Sequence, residues 1–217
     1  MVKTVCERPQ LNRFIIGRRM YQRDAIDVAF VVKREFNDKA QEEVVRHTFD
    51  ENDTIDAICS RITGEVRKVR SAPETSRGAI HILEAFLRLP RILLIGFIKL
   101  LEFMDFYGFL PASLIRVDPM HTTGFVSNLG SIGADAPYHH LYEWGTTSIF
   151  AVMGVIHKEA FVMPDDTLQA REVMNIGFTL DERISDGFYC ARSLKRMTEM
   201  LENPAQLEIP SAVNAES

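Results

Sequence analysis

Asp181-Glu182-Arg183-Ile184-Ser185-Asp186-Gly187 joins an apolar run, Glu172 to Leu180, to a helical repeat that begins after Gly187. Asp186 is a strong helix N-cap, because its carboxylate can accept from the free N–H groups of a first turn. Gly187 permits a tight entry into that helix. Phe188, Ala191, Leu194, Met197 and Leu201 then recur at helical spacing, and Asn203-Pro204 ends the pattern. Arg183 has two kinds of partner within reach, Asp186 or another acid, and the spacing does not choose between them.

The segment before it reads as sheet. Ser148 to His157 and Glu172 to Leu180 are strands joined through Met163-Pro164-Asp165-Asp166, a hairpin turn. Thr123 to Asn128 is a further strand that breaks at Gly130 and Gly133. Nearer the N-terminus, Val2 to Arg8 is a helical tail stopped by Pro9. Leu11 to Ile16 is a short strand, Asp27 to Lys33 a buried valine-rich one, and Glu43 to Phe49 its neighbour. Asp53 caps a helix whose face is Ile55, Ile58, Ile62, Val66 and Val69, with Asp56 in the first turn, where the helix dipole favours it. Ser71 to Ser76 is a loop. Strands and helices mixed in this way, with a hairpin among them, predict an α+β fold in which helices cover a mixed β-sheet.

Residues 79–114 are crowded with Ile, Leu and Phe, and Pro90 divides them into two helices or kinks one. The uncharged run Ile92 to Ile98 is far short of the roughly 20 residues of a membrane span. Buried helices or a subunit interface is the first expectation. Contact with a membrane surface is the weaker one, favoured only by Arg88, Arg91 and Lys99 beside the apolar face.

The composition excludes several classes. The chain has 217 residues, 46% hydrophobic and 25% charged, with a net charge of -5, so it builds a core without staples and shows no basic stripe for nucleic acid. Cys6, Cys59 and Cys190 are scattered, which speaks for free thiols in a reducing cytoplasm rather than a disulfide scaffold. His47, His81, His121 and His157 have no ligand-like spacing, so no metal site is expected.

Three segments in order carry a resemblance: Pro9-Gln10-Leu11-Asn12-Arg13-Phe14, then Gly124-Phe125-Val126-Ser127-Asn128-Leu129-Gly130-Ser131-Ile132-Gly133, then Asp181 to Gly187 with its following helix. Together they resemble the catalytic domain of the 2-oxoacid dehydrogenase (dihydrolipoamide) acyltransferases. Chloramphenicol acetyltransferase shares that fold, and Asp186-Gly187-Phe188 is similar to its form of the motif. The third segment has the outline of His-x-x-x-Asp-Gly, with Glu182 in the histidine slot.

The resemblance implies a reaction. The histidine takes a proton from an attacking thiol or hydroxyl, which adds to the thioester carbonyl of acyl-CoA. The serine of the strand, at Ser127 here, donates to the oxyanion; the ordinary alternative for Ser127 is a strand-end hydroxyl bonded to nearby backbone. The family aspartate, at Asp186 here, orients the site through an arginine, a role compatible with capping the helix. Histidine titrates near ~6.5 and ordinary glutamate near ~4.3, so Glu182 is a poorer base unless burial raises it. Losing the base costs roughly 100- to 10,000-fold. His140, with His139, is the candidate replacement, although such a pair is more often solvated or structural.

The resemblance also implies CoA or acyl-CoA and a small acceptor as substrates, no covalently bound cofactor, and a homotrimer. In such trimers one chain supplies the histidine-slot residue and its neighbour the serine. A trimeric binding or assembly protein without chemistry is the alternative. The expected layout is one domain over 1–210 and a polar tail over 211–217. Family domains carry a helix–strand–helix portion ahead of the Pro-x-Leu-Asn segment, so the N-terminal part appears reduced or missing. The lipoyl-carrying and subunit-binding modules and the apolar C-terminal anchor of the full acyltransferases are not expected either.

Overall fold

The computed structural model describes residues 1–34, 42–71 and 90–208. Residues 79–89, with His81 among them, residues 72–76 of the expected loop and the tail 211–217 therefore lie outside the described residues. The helices are α1 (Val2–Glu7), α2 (Ile55–Ser71), α3 (Arg91–Phe106), α4 (Ala112–Val117) and α5 (Gly187–Glu202). The strands are β1 (Arg13–Ile16), β2 (Arg19–Gln22), β3 (Ile26–Lys33), β4 (Glu42–Phe49), β5 (Gly124–Asn128), β6 (Ile149–Val162) and β7 (Leu168–Leu180).

Five strands form one sheet in the order β4-β3-β5-β6-β7, and β1 pairs with β2 alone. The β3/β5 and β5/β6 pairs are parallel, while β3/β4 and β6/β7 are antiparallel, so the sheet is mixed as expected. Strand β5 is central, and its alternate residues face opposite layers. Phe125 stacks on Phe150 at 5.0 Å on one face, within a core of Ala29, Phe125, Phe150 and Val152. On the other face Val5, Leu11 and Ile149 pack with Phe178, Leu180 and Tyr189, under α1 and α5.

Helices α1 and α5 are tied side by side. The Arg8 guanidinium donates to the Ser193 hydroxyl at 2.6 Å, and Arg196 pairs with Glu7 at 2.8 Å. The buried side of α5 is Cys190, Ser193 and Met200. The expected stripe is thus rotated: Phe188 is 72% exposed and Leu201 55%. Hydrophobicity alone misplaces it because Ser193 is buried through polar contacts, with its hydroxyl donating to the Tyr189 carbonyl.

The first family-like segment is structural. The Asn12 side chain is buried, accepts from the Thr123 hydroxyl at 2.6 Å and donates to the Ala25 carbonyl at 3.1 Å, joining the N-terminal turn to the start of β5. Asn12 sits in a short 3-10 turn, so β1 begins two residues later than the sequence reading placed it. The β1/β2 hairpin went unread. Its turn is Gly17-Arg18, both at positive φ, and a Cβ on Gly17 would run into the carbonyl oxygen of Phe106, so the chain passes closely against the end of α3. In α2 the capping residue is Thr54, whose hydroxyl accepts from the Ala57 N–H at 3.3 Å. Asp53 is instead held by Arg61 at 2.6 Å.

Helix α3 starts directly after Pro90, in agreement with the proline reading. It buries none of its residues, and Ile92 is 83% exposed. The expectation of buried helices therefore fails for α3 in the single chain. Among the described residues no helix is long and apolar enough to cross a membrane.

Candidate functional site

Strand β7 ends at Leu180, opposite Ile149, which in turn lies opposite Gly124 at the start of β5. Residues 181–187 turn away from this end of the sheet. The Asp181 N–H donates to the Ser148 carbonyl at 3.0 Å, and Ile184, fully buried, pins the turn. Arg183 grips Asp181 through two contacts of 2.8 and 2.7 Å, which settles its partner as Asp181 rather than Asp186. Burial of Asp181 works against its charge, but the hydrogen bonds from Arg183 outweigh it and hold the carboxyl below its ordinary pKa.

The Asp186 carboxylate accepts from the Tyr189 N–H at 2.7 Å and caps α5, as expected. Among the described residues it has no arginine partner, so the arginine-mediated orientation implied by the resemblance is not seen. Arg13 instead reaches the Ile184 carbonyl at 3.5 Å. Glu182 is exposed, and among the described residues its carboxylate has no hydrogen bond or ion pair. Among the described residues no apolar enclosure surrounds it.

Ser127 lies on β5, half-buried, opposite Val152 and on the same face as Phe125. Among the described residues its hydroxyl has no hydrogen-bond partner. Ser127 is three residues beyond Gly124, roughly 10 Å along the strand, while Glu182 continues past Leu180 in the opposite direction. The chain therefore separates Ser127 from Glu182 rather than bringing them together.

The loop carrying His139 and His140 crosses the Phe125 face. The His139 ring stacks on Phe150 at 3.9 Å, and its Nδ1–H donates to the His140 carbonyl at 2.6 Å. The Thr179 hydroxyl donates to the His139 carbonyl at 2.5 Å. His140 is exposed, and among the described residues its side chain makes no hydrogen bond. Neither imidazole is hydrogen-bonded to Ser127 or Glu182.

A cleft of about 520 Å³ opens at the Glu182 end of the sheet. Gly17 and Arg18 of the hairpin turn, Asp105 and Phe106 of α3, Trp144 and Thr146 of the crossing loop, and Asp181 and Arg183 of the turn line it. Behind it stands a polar cluster that sequence reasoning missed. The buried His121 ring holds Asp118 through Nδ1 at 3.0 Å and Asp105 through Nε2 at 3.1 Å. The Trp144 indole N–H also donates to Asp118, at 2.6 Å. Burial of the ring opposes its charge, but the two carboxylates outweigh that and raise the His121 pKa. Burial likewise acts against the Asp118 charge, and its bonds to His121, Met120 and Trp144 bring its pKa down. The available signal was the three-residue spacing Asp118 to His121; the long-range partners Asp105 and Trp144 had none. Among the described residues no cluster of His, Cys, Asp or Glu is arranged to hold a metal.

Residues 113–209 match the family model for the 2-oxoacid dehydrogenases acyltransferase catalytic domain, a span that holds both the Ser127 strand and the Asp181–Gly187 turn. Over that span the chain is similar to the 2-oxoacid dehydrogenase acyltransferases. It is 23% identical over 197 residues to the lipoamide acyltransferase component of the branched-chain alpha-keto acid dehydrogenase complex of Bacillus subtilis, covering 91% of this chain and 36% of that protein. The chain thus spans about a third of that relative's length. Among solved structures, dihydrolipoamide acetyltransferase from Azotobacter vinelandii superposes with a TM-score of 0.61 at 14% identity, over 95% of this chain and 66% of the other. A probable dihydrolipoamide acetyltransferase from Listeria monocytogenes superposes with a TM-score of 0.60 at 17% identity, over 93% and 66%. These likenesses show the fold: this chain has that of the dihydrolipoamide acetyltransferase catalytic domains.

Proposed function

We propose that the chain is a divergent CoA-dependent acyltransferase domain of the 2-oxoacid dehydrogenase type, one unit over residues 1–210, acting in the cytoplasm as a homotrimer. The observation that carries this reading is the order and placement of two segments within one family match: the Ser127 strand and the Asp181–Gly187 turn. Their separation on one chain supports the trimer. Ser127 at the far end of β5 meets a Glu182 only if a neighbouring chain supplies it. The exposed apolar side of α3 supports the same conclusion, since a helix with no buried residue is better accounted for by contact with another subunit.

In this reading an acceptor thiol adds to the thioester carbonyl of acyl-CoA. Glu182, or His140 in its place, takes the thiol proton. The negative charge that forms on the carbonyl oxygen receives a hydrogen bond from the Ser127 hydroxyl. The C–S bond to CoA then breaks, the CoA thiolate leaves, and the proton is returned to it. Asp186 keeps the turn in place by capping α5.

A second reading is a trimeric binding or assembly protein without chemistry. It is favoured by the Glu182 carboxylate, exposed and without hydrogen-bonded support among the described residues. Acetyl-CoA consumption with dihydrolipoamide as acceptor separates the two. Turnover that falls at least about 100-fold in Glu182→Gln, and also falls in Ser127→Ala, establishes the enzyme and the base. A folded trimer with no turnover, in which Glu182→His creates activity, establishes the second reading.

A further inference from the structure

Helix α3 is apolar yet buries none of its residues, and its last turn is held beside the cleft by Asp105 and by the close approach of Phe106 to Gly17. The Asp105 carboxylate in that turn accepts a hydrogen bond from His121, its donor among the described residues. The same ring reaches Asp118 on its other side. A neutral imidazole has one N–H, so it can donate to only one of two carboxylates; serving both requires the imidazolium.

The two carboxylates are unequal. Asp118 also accepts from the Trp144 indole at 2.6 Å and from the Met120 N–H at 2.9 Å, and it stays in place without help from His121. Asp105 has no such second donor among the described residues. Of the two neutral tautomers, the one that keeps Nδ1–H on Asp118 turns a lone pair towards the Asp105 carboxylate at 3.1 Å, and attraction becomes repulsion; Asp105 lines the open cleft, where water replaces the lost donor. Other charges stand nearby: Arg46 on β4 donates to the Asp118 backbone carbonyl and is matched by Asp27 on β3 at 2.7 Å, while Arg18, Glu102, Glu143 and the Asp181–Arg183 pair line the cleft beside Asp105.

We propose that His121 is a proton-controlled latch: as imidazolium it fastens the last turn of α3, and with it one wall of the cleft, to the sheet; as neutral imidazole it releases that turn. The latch does not depend on the acyltransferase reading. The raised pKa of the ring places the transition above the ordinary histidine value of about 6.5, so the latch is closed below that pH and opens as pH rises through the raised value.

Trp144 is the only tryptophan of the chain, and its ring lies edge-on to His121 at 5.8 Å. Its fluorescence, quenched by an adjacent imidazolium, reports the proton directly. Hydrogen exchange of residues 97–110, normalised to the intrinsic rate at each pH, reports the turn. The expected result is that exchange there rises about tenfold or more over the pH interval in which Trp144 brightens, while β5 and β6 stay protected. In Asp105→Asn the Trp144 midpoint moves to lower pH and exchange in 97–110 is fast at every pH. Flat exchange in 97–110 across the Trp144 transition, equal loosening of β5 and β6, or an Asp105→Asn variant indistinguishable from the parent overturns the latch.

Discussion

Strand β5 and helix α3 both carry large apolar side chains, and the protein treats them in opposite ways. Phe125 of β5 is wholly buried, whereas Ile92 in α3 is 83% exposed. The difference comes from position in the fold. Strand β5 has strands on both edges and layers on both faces. Helix α3 lies at the margin, fastened by Asp105 and by the close approach of Phe106 to Gly17. Hydrophobicity states what must be covered, but the covering surface is decided by topology or by another subunit.

The sharpest way to break this comparison is to truncate one side chain in each region. Phe125→Ala should lower the unfolding free energy by about 3–5 kcal/mol, measured by urea titration, because a closed core cannot refill the space. Leu100→Ala, at a position 53% exposed, should change it by no more than about 0.5 kcal/mol at monomeric concentrations. A large loss for Leu100→Ala that grows with protein concentration would move α3 into a subunit contact.

A smaller effect tests the turn that separates the two halves of the candidate site. Asp186→Ala should cost about 1 kcal/mol, and Asp186→Asn much less, since either side chain caps a helix. Thermal melts of the two variants against the parent check this. An equal loss in both would mean that the charge of Asp186, not its capping bond, is what matters.

The dependence on pH follows from two shifts of opposite sign. His121 has a raised pKa, so its contribution is complete below about 6.5 and is lost as pH rises through the folded value. Asp118 has a lowered pKa, so its contribution is complete above about 3.9 and is lost as pH falls through its folded value. The melting temperature should plateau between these limits, and Asp105→Asn should flatten the alkaline fall alone. A small change is also expected for Arg183→Ala. Its side chain is 70% exposed although its partner Asp181 is largely covered, so the loss should stay within about 1 kcal/mol.

The parts of the molecule legible in the sequence are those set by local rules. The strand signals of β3 to β7, the cap at Asp186 and the stop at Pro90 all follow from a few adjacent residues. The β1/β2 hairpin was missed because Gly17-Arg18 is a single weak turn signal between short strands. The buried side of α5 was misplaced because Ser193, at its centre, carries no hydrophobic mark. At the candidate site, Ser127, Asp186 and Glu182 were locatable from motif outlines, while their mutual distance was not. The Asp105–His121–Asp118–Trp144 cluster spans some forty positions of sequence, and nothing local announces it.

Beyond Met153 and Ile176 the β6–β7 hairpin runs on past the end of β5, with Ile156, Val162 and Leu168 each more than 60% exposed. It is a cantilever, clamped at the sheet and free at Asp165-Asp166. Bending at its root is amplified at its tip, so the tip sweeps the largest volume of any part of the ribbon. The hydrogen bonds lost by opening the chain there are those of the turn itself, from the Met163 N–H to the Thr167 carbonyl and from the Asp166 N–H to the Met163 carbonyl. That makes Asp165-Asp166 the place to graft a dye, an affinity tag or a second domain without disturbing the sheet.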